Sequence, residues 1–269
     1  MAITKQSFIN IFNNTNILKN SENYIGMGNP DSNILFVGQE KALNVNDEIY
    51  DPIVNHESVL NYAHWNDIVV NHLGITDNFS PDLMTRLAPL NGFNPFSPML
   101  FPPTAAIVQP LGGHTYRKIE ALLNARIGVR ILNIFETEIF TDSIFSECFL
   151  TEISDKPSLK RAGNRMTPAR DIFISSNEFY KSFKTVVVNV GLNSTDYIYS
   201  RNSEERYIFL KTNFNNGLLN QPITIDLGGN KEADVYINPE NNSKIIVCNQ
   251  LSGSAGWSND QLTRLSAEL

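Results

Sequence analysis

Cysteine is almost missing from this 269-residue chain, where Cys148 and Cys248 are the only two. A disulfide framework needs more. Both thiols lie in apolar runs that read as strands, so buried free cysteines are expected. Long hydrophobic runs are missing as well: none approaches the roughly 18 residues of a membrane span. The opening residues Met1-Ala2-Ile3-Thr4-Lys5-Gln6-Ser7-Phe8 lack the apolar block of a signal peptide. These absences predict a cytoplasmic protein with no membrane partner. Positive charge is in short supply, with 21 Lys and Arg against 28 Asp and Glu and a net charge of −7. That argues mildly against nucleic acid as a partner, although distribution matters more than the sum. His56, His64, His72 and His114 show no ligand spacing with the cysteines, so neither a metal site nor a cofactor is expected. No Gly-x-Ser-x-Gly, Walker or Gly-x-Gly-x-x-Gly signature is present, which speaks against the familiar hydrolase, P-loop and dinucleotide sites.

What the chain does have is a set of short, continuous apolar runs. Residues 33–37, 148–153, 185–190 and 244–250 read as buried strands, spread along the chain with helical patterns between them. Helices are expected over 3–20, 56–73, 114–127 and 171–182, while 129–147 is ambiguous. This alternation predicts an α/β fold, a three-layer αβα sandwich around a mostly parallel sheet. Past Gly191 the texture changes. Short strands over 206–210, 222–227 and 233–237, separated by Asn/Gly turns, predict a β-rich insertion at about 200–240 within one domain covering 1–269. Ser258-Asn259-Asp260-Gln261 fits a capping box opening a final helix, with Leu262, Leu265 and Leu269 as its apolar face.

Each confident strand ends in polar residues. The first delivers Gln39 and Glu40, the second Thr151 and Glu152, the third Asn189, and the last Asn249, Gln250 and Ser252. Parallel strands would bring these groups to one edge of the sheet, where open α/β sheets bind ligands. The set is rich in amides, which both donate and accept hydrogen bonds and so suit the edge of a nucleobase or a similar flat polar ligand. Phe93 and Phe96, in the Pro- and Gly-rich segment 86–113, are candidates to stack on such a ligand. The basic stretch 156–170 carries Lys156, Lys160, Arg161, Arg165 and Arg170 with no acid after Asp155 and is a candidate phosphate contact.

The order of these elements resembles the uracil-DNA glycosylase superfamily, including uncharacterised bacterial relatives of that fold. Val37-Gly38-Gln39-Glu40 stands at the family's first motif and Phe149-Leu150-Thr151-Glu152 near its second. Val186-Val187-Val188-Asn189-Val190-Gly191 stands at the third, and Val247-Cys248-Asn249-Gln250-Leu251-Ser252-Gly253 at the last. Gly38-Gln39 and Ser252 match literally, and Lys41 replaces a proline. The resemblance implies a protein that flips a base from DNA and hydrolyses its N-glycosidic bond. Glu40 would orient water and stabilise the sugar cation, while Gly38, Gln39, Lys41 and Ser252 surround the base. Thr151 or Glu152 would take the place of the asparagine that reads the base edge. Asn249 or Gln250 would take the place of the histidine that stabilises the leaving anion. Leu251 would be the wedge that fills the vacated stack, and Lys156, Lys160, Arg161 and Arg165 would touch phosphate. The alternative is a non-catalytic module binding a nucleotide or small polar ligand on the same fold.

Overall fold

The apolar, β-branched runs become the centre of one mixed sheet. The structure is a computed structural model that describes residues 26–28, 31–38, 118–123, 147–152, 174, 177–193, 201, 221–251 and 255–269. Among these lie the strands β1 (Met27–Gly28), β2 (Ile34–Gly38), β3 (Phe149–Glu152) and β4 (Thr185–Val188), followed by β5 (Ile223–Gly228), β6 (Lys231–Ile237) and β7 (Lys244–Cys248). Their order across the sheet is β1-β3-β2-β4-β7-β6-β5. The inner strands β3, β2, β4 and β7 are mutually parallel. β1 on one side, and β6 and β5 on the other, add antiparallel. β5 and β6 form an antiparallel pair at one side of the sheet. The expected strand at 206–210 lies outside the described residues, as do the helices expected over 3–20 and 56–73 and most of segment 129–147.

Strand alternation gives the sheet two faces. Ile34, Phe36, Leu150, Val187 and Ile246 share one face and belong to one buried cluster. Ile119, Leu122 and Leu123 from the helical residues 118–123 pack into that cluster, as do Leu262 and Leu265 from the last helix. Leu35, Phe149 and Val186 are buried on the other face. There the Phe149 ring meets Phe179 edge-on at 5.1 Å and Phe183 at 6.0 Å. Helical residues thus cover both faces of an α/β sheet. Cys148 and Cys248 are free and buried, as expected.

Local chemistry sets the ends of the elements. Within the pattern over 171–182, the structure describes a helical Ile174 and then helix α1 (Glu178–Lys181). Asn177 caps α1, with an extended backbone and a side-chain oxygen that accepts from Phe179 N. Helix α2 (Asn259–Ser266) opens with the predicted capping box. Ser258 N donates to Gln261 Oε1 at 2.9 Å, and Gln261 N donates to Ser258 Oγ at 3.3 Å. Burial of Leu262 and Leu265 contributes about 2 kcal/mol each. The exposed Asp260–Arg264 pair adds only about 0.4 kcal/mol, so cap and apolar face hold this helix. The β5–β6 hairpin turns through Gly229 at φ 57° and Asn230 at φ 62°, the left-handed pair that a two-residue hairpin turn needs.

Candidate functional site

Parallel pairing decides which polar residues meet. Gly38 stands opposite Glu152, Val37 opposite Val188, and Val188 opposite Val247. One step further along, Glu152, Gly38, Asn189 and Cys248 occupy a single row at the carboxyl edge of the inner strands. β2 lies between β3 and β4, so the chain leaves β2 toward one neighbour and later returns to the other. The helical residues 118–123, between β2 and β3 in sequence, cover one face, and α1, between β3 and β4, covers the other. A reversal of this kind makes the carboxyl ends of β2 and β4 the switch point of the sheet, the usual ligand position in open α/β folds.

Asn189 is the centre of that position. It is 2 % exposed, and its N–H donates to Val37 O at 3.0 Å, extending the ladder beyond β4. Its Oδ1 is buried with no hydrogen-bond partner. Alternation puts Asn189 and Gly38 on the same face of the sheet. Among the described residues, the atoms nearest to where a Gly38 Cβ would stand are Asn189 Oδ1 and Thr151 O, both at 3.8 Å.

The last strand behaves differently from expectation. Asn249 Oδ1 accepts from Glu232 N at 3.4 Å, so its amide oxygen continues the β6–β7 ladder. Gln250 O accepts from Trp257 Nε1 at 3.0 Å, which ties the strand exit to the start of α2. Leu251 is fully buried in the core cluster. That corrects its expected role as a wedge, because a side chain enclosed by its own core has no free surface to insert into a base stack. Thr151 is buried on the Phe149 face, opposite to the face that carries Gly38 and Asn189. Of the two residues expected to read a base edge, Glu152 is the one in register with Gly38.

Two lysines escaped the sequence reading. Lys231 opens β6, and its Nζ lies 5.8 Å from the centre of the Trp257 ring. The pKa of Lys118 is lowered by burial and then by the positive charge of Lys231. Antiparallel pairing of β6 on β7 brings Lys231 to the level of the strand ends, a relation that no local pattern announces. Asn189 did carry a signal, as the polar residue closing a β-branched run before Gly191. Among the described residues, no three His, Cys, Asp or Glu lie close enough to hold a metal ion. No helix among them is long and apolar enough to cross a membrane. Gln39, Glu40, Lys41, Phe93, Phe96, Ser252, Lys156, Lys160, Arg161 and Arg165 lie outside the described residues.

No protein-family model matches the chain, and no curated protein or solved structure is similar enough to it to count as a match.

Proposed function

We propose that this chain is a DNA glycosylase-like hydrolase that cleaves the N-glycosidic bond of a flipped, uracil-like or otherwise modified base, on a three-layer fold of the uracil-DNA glycosylase kind. The observation that carries this reading is the carboxyl-edge row, in which Gly38 stands between Glu152 and Asn189 on parallel strands. Gly38 also opens the Gly38-Gln39-Glu40 segment, so Glu40 follows the switch point by two residues. A carboxylate there would orient water and stabilise positive charge on the sugar as the bond breaks. The leaving base takes up negative charge. Asn249 keeps its amide N–H groups as donors for that charge, since only its oxygen bonds to Glu232 N. Losing one strong donor to a developing anion costs about 3 kcal/mol of barrier. Lys118 and Lys231 favour an anion on the same side of the sheet. The stretch 156–170 is the candidate phosphate contact on DNA.

The test is a cleavage assay on single- and double-stranded oligonucleotides carrying uracil, hypoxanthine, xanthine or oxidised pyrimidines. Wild type should form abasic sites, and Glu40→Ala and Glu40→Gln should lower the rate at least about a hundredfold. No product from any substrate, together with no DNA binding at low salt, overturns the reading.

A second reading is a non-catalytic module that binds a nucleotide or small polar molecule at the same edge. The buried Leu251 and the structural use of the Asn249 oxygen favour it, because both remove parts of the base-excision machinery. Binding of a free base or nucleotide, with no cleavage of any oligonucleotide, would decide for this module.

A further inference from the structure

We infer that Asn189 is the residue that reads the ligand, with Oδ1 accepting a ring N–H that lies beside a carbonyl, as in the imide or lactam edge of a nucleobase. The inference rests on the reading of the β2–β4 carboxyl edge as a ligand site. It differs from the sequence expectation, which gave this task to Thr151 or Glu152 on β3.

The argument begins with a missing bond. Buried polar atoms in folded proteins are nearly always paired, and an exception asks for a reason. The Asn189 backbone is paired through Val37 O, so the strand gains nothing from the side-chain oxygen. Asn189 is 2 % exposed and its Oδ1 has no partner, so the fold bears the full desolvation cost of an amide oxygen. A leucine of similar size would serve packing better. The oxygen lies 3.8 Å from the position that a Cβ of Gly38 would take, at the sheet's switch point. A cost placed there is recovered when a donor arrives.

The chemistry of that donor follows from the amide. The oxygen accepts, and the Nδ2 beside it donates. The complementary ligand offers N–H and C=O side by side in one plane, as the ring edges of uracil and hypoxanthine do. Phosphate at neutral pH offers mainly acceptors and would leave Oδ1 unpaired. Beside the amide, Gly38 carries no side chain, and the described atoms nearest its Cβ position stand at 3.8 Å.

The test uses the full-length protein with uridine and inosine as probes, against 3-methyluridine and 1-methylinosine, in which methyl replaces the one ring N–H that lies beside a carbonyl. Affinity is read by calorimetry, and stability by thermal melting without ligand. Wild type should bind at least one unmethylated nucleoside, and methylation should weaken binding tenfold or more. Asn189→Leu should weaken binding by a similar factor while melting at or above the wild-type temperature, because it removes an unpaired acceptor. The methylated probes test the same contact on wild type and need no variant to fold. Equal binding of methylated and unmethylated nucleosides, or unchanged binding by Asn189→Leu, overturns the assignment of Asn189 and leaves the glycosylase reading standing. A large fall in melting temperature for Asn189→Leu also overturns it, by showing the amide to be structural. If wild type binds none of the nucleosides, the inference fails, and the oligonucleotide assay with Glu40→Gln separately reports on the proposed function.

Discussion

Arg201 grips Asp234 with two nearly parallel bonds, from Nη2 to Oδ1 at 2.8 Å and from Nε to Oδ2 at 3.3 Å. Asp234 is 2 % exposed on β6, and Thr224 Oγ1 on the neighbouring β5 donates to the same Oδ1 at 2.8 Å. The backbone N–H of Arg201 donates to Leu192 O, so the fork fastens the chain leaving β4 to the antiparallel edge of the sheet. A carboxylate this deep depends on its cation, because burial without one leaves an uncompensated charge. The hydrogen bonds to Asp234 raise the pKa of the guanidinium above its usual value, so Arg201 stays charged.

Removing Arg201 should therefore cost more than its partial exposure suggests. Arg201→Ala is expected to lower stability by about 2–3 kcal/mol, since Asp234 is left buried and charged. Glu232→Ala should cost under about 1 kcal/mol, because that second partner is 41 % exposed at its side chain. Urea unfolding checks both. In a double-mutant cycle, Arg201→Ala with Asp234→Ala should lose clearly less than the sum of the single changes.

Gln261 joins two elements through one amide. Its Oε1 accepts from Ser258 N in the cap of α2, and its Nε2 donates to Gly228 O at 2.6 Å in the β5–β6 hairpin. Gln261→Ala should cost about 1–3 kcal/mol, the loss of a cap bond and of a buried bond to backbone. Gln261→Glu keeps the cap acceptor but turns the second bond into repulsion between oxygens. It should be no more stable than Gln261→Ala, as thermal melting at pH 7 will show.

The two thiols should be inert in the folded protein. Burial pushes Cys248 up to about 12, and burial followed by the charge of Glu147 raises Cys148 further. At pH 7 a thiol of that kind is ionised to only ~10⁻⁵, so a disulfide reagent should label neither until urea unfolds the chain. Both folded-state pKa values exceed the unfolded one, so the native state holds protons that the unfolded state releases. Stability is then full below about pH 8.5–9 and falls as pH rises, by about 1.4 kcal/mol per pH unit for each thiol. Replacing Cys248 with alanine should flatten the alkaline part of a urea-midpoint profile.

Two glycines make a contrast. Gly229 has φ 57°, and a Cβ there would stand 2.8 Å from Gln261 Nε2, so Gly229→Ala should destabilise by about 1 kcal/mol or more. At Gly38 an added Cβ meets described atoms only at 3.8 Å, in ordinary contact. Gly38→Ala should melt near wild type. The methyl would stand 3.8 Å from Asn189 Oδ1, where the ligand is inferred to bind, so affinity for uridine or inosine should fall several-fold in the same calorimetry.

Much of this fold is written locally. The β-branched runs around Val187 and Ile246 demand burial on both faces, which marks inner strands whatever their neighbours. Ser258 and Gln261 spell a helix start within four residues, and the Gly229-Asn230 pair spells a hairpin turn. The free thiols follow from their apolar settings. Asn177 shows where local reading erred: an amide inside an apparent helix pattern was worth more to the backbone as a cap than as a link.

The site divides along the same line. Sequence alone determined that inner strands end in Gly38, Glu152, Asn189 and Asn249, because hydrophobic runs and the residues that stop them are properties of a few neighbouring positions. Only the tertiary structure decided that β2 sits between β3 and β4, that Asn249 spends its oxygen on Glu232, that Leu251 turns into the core, and that the Asn189 Oδ1 is left without a partner. Those outcomes depend on pairing between segments more than a hundred residues apart for β2 with β3 and β4. The free energy that selects such a register comes from packing two faces at once, which no window of sequence contains.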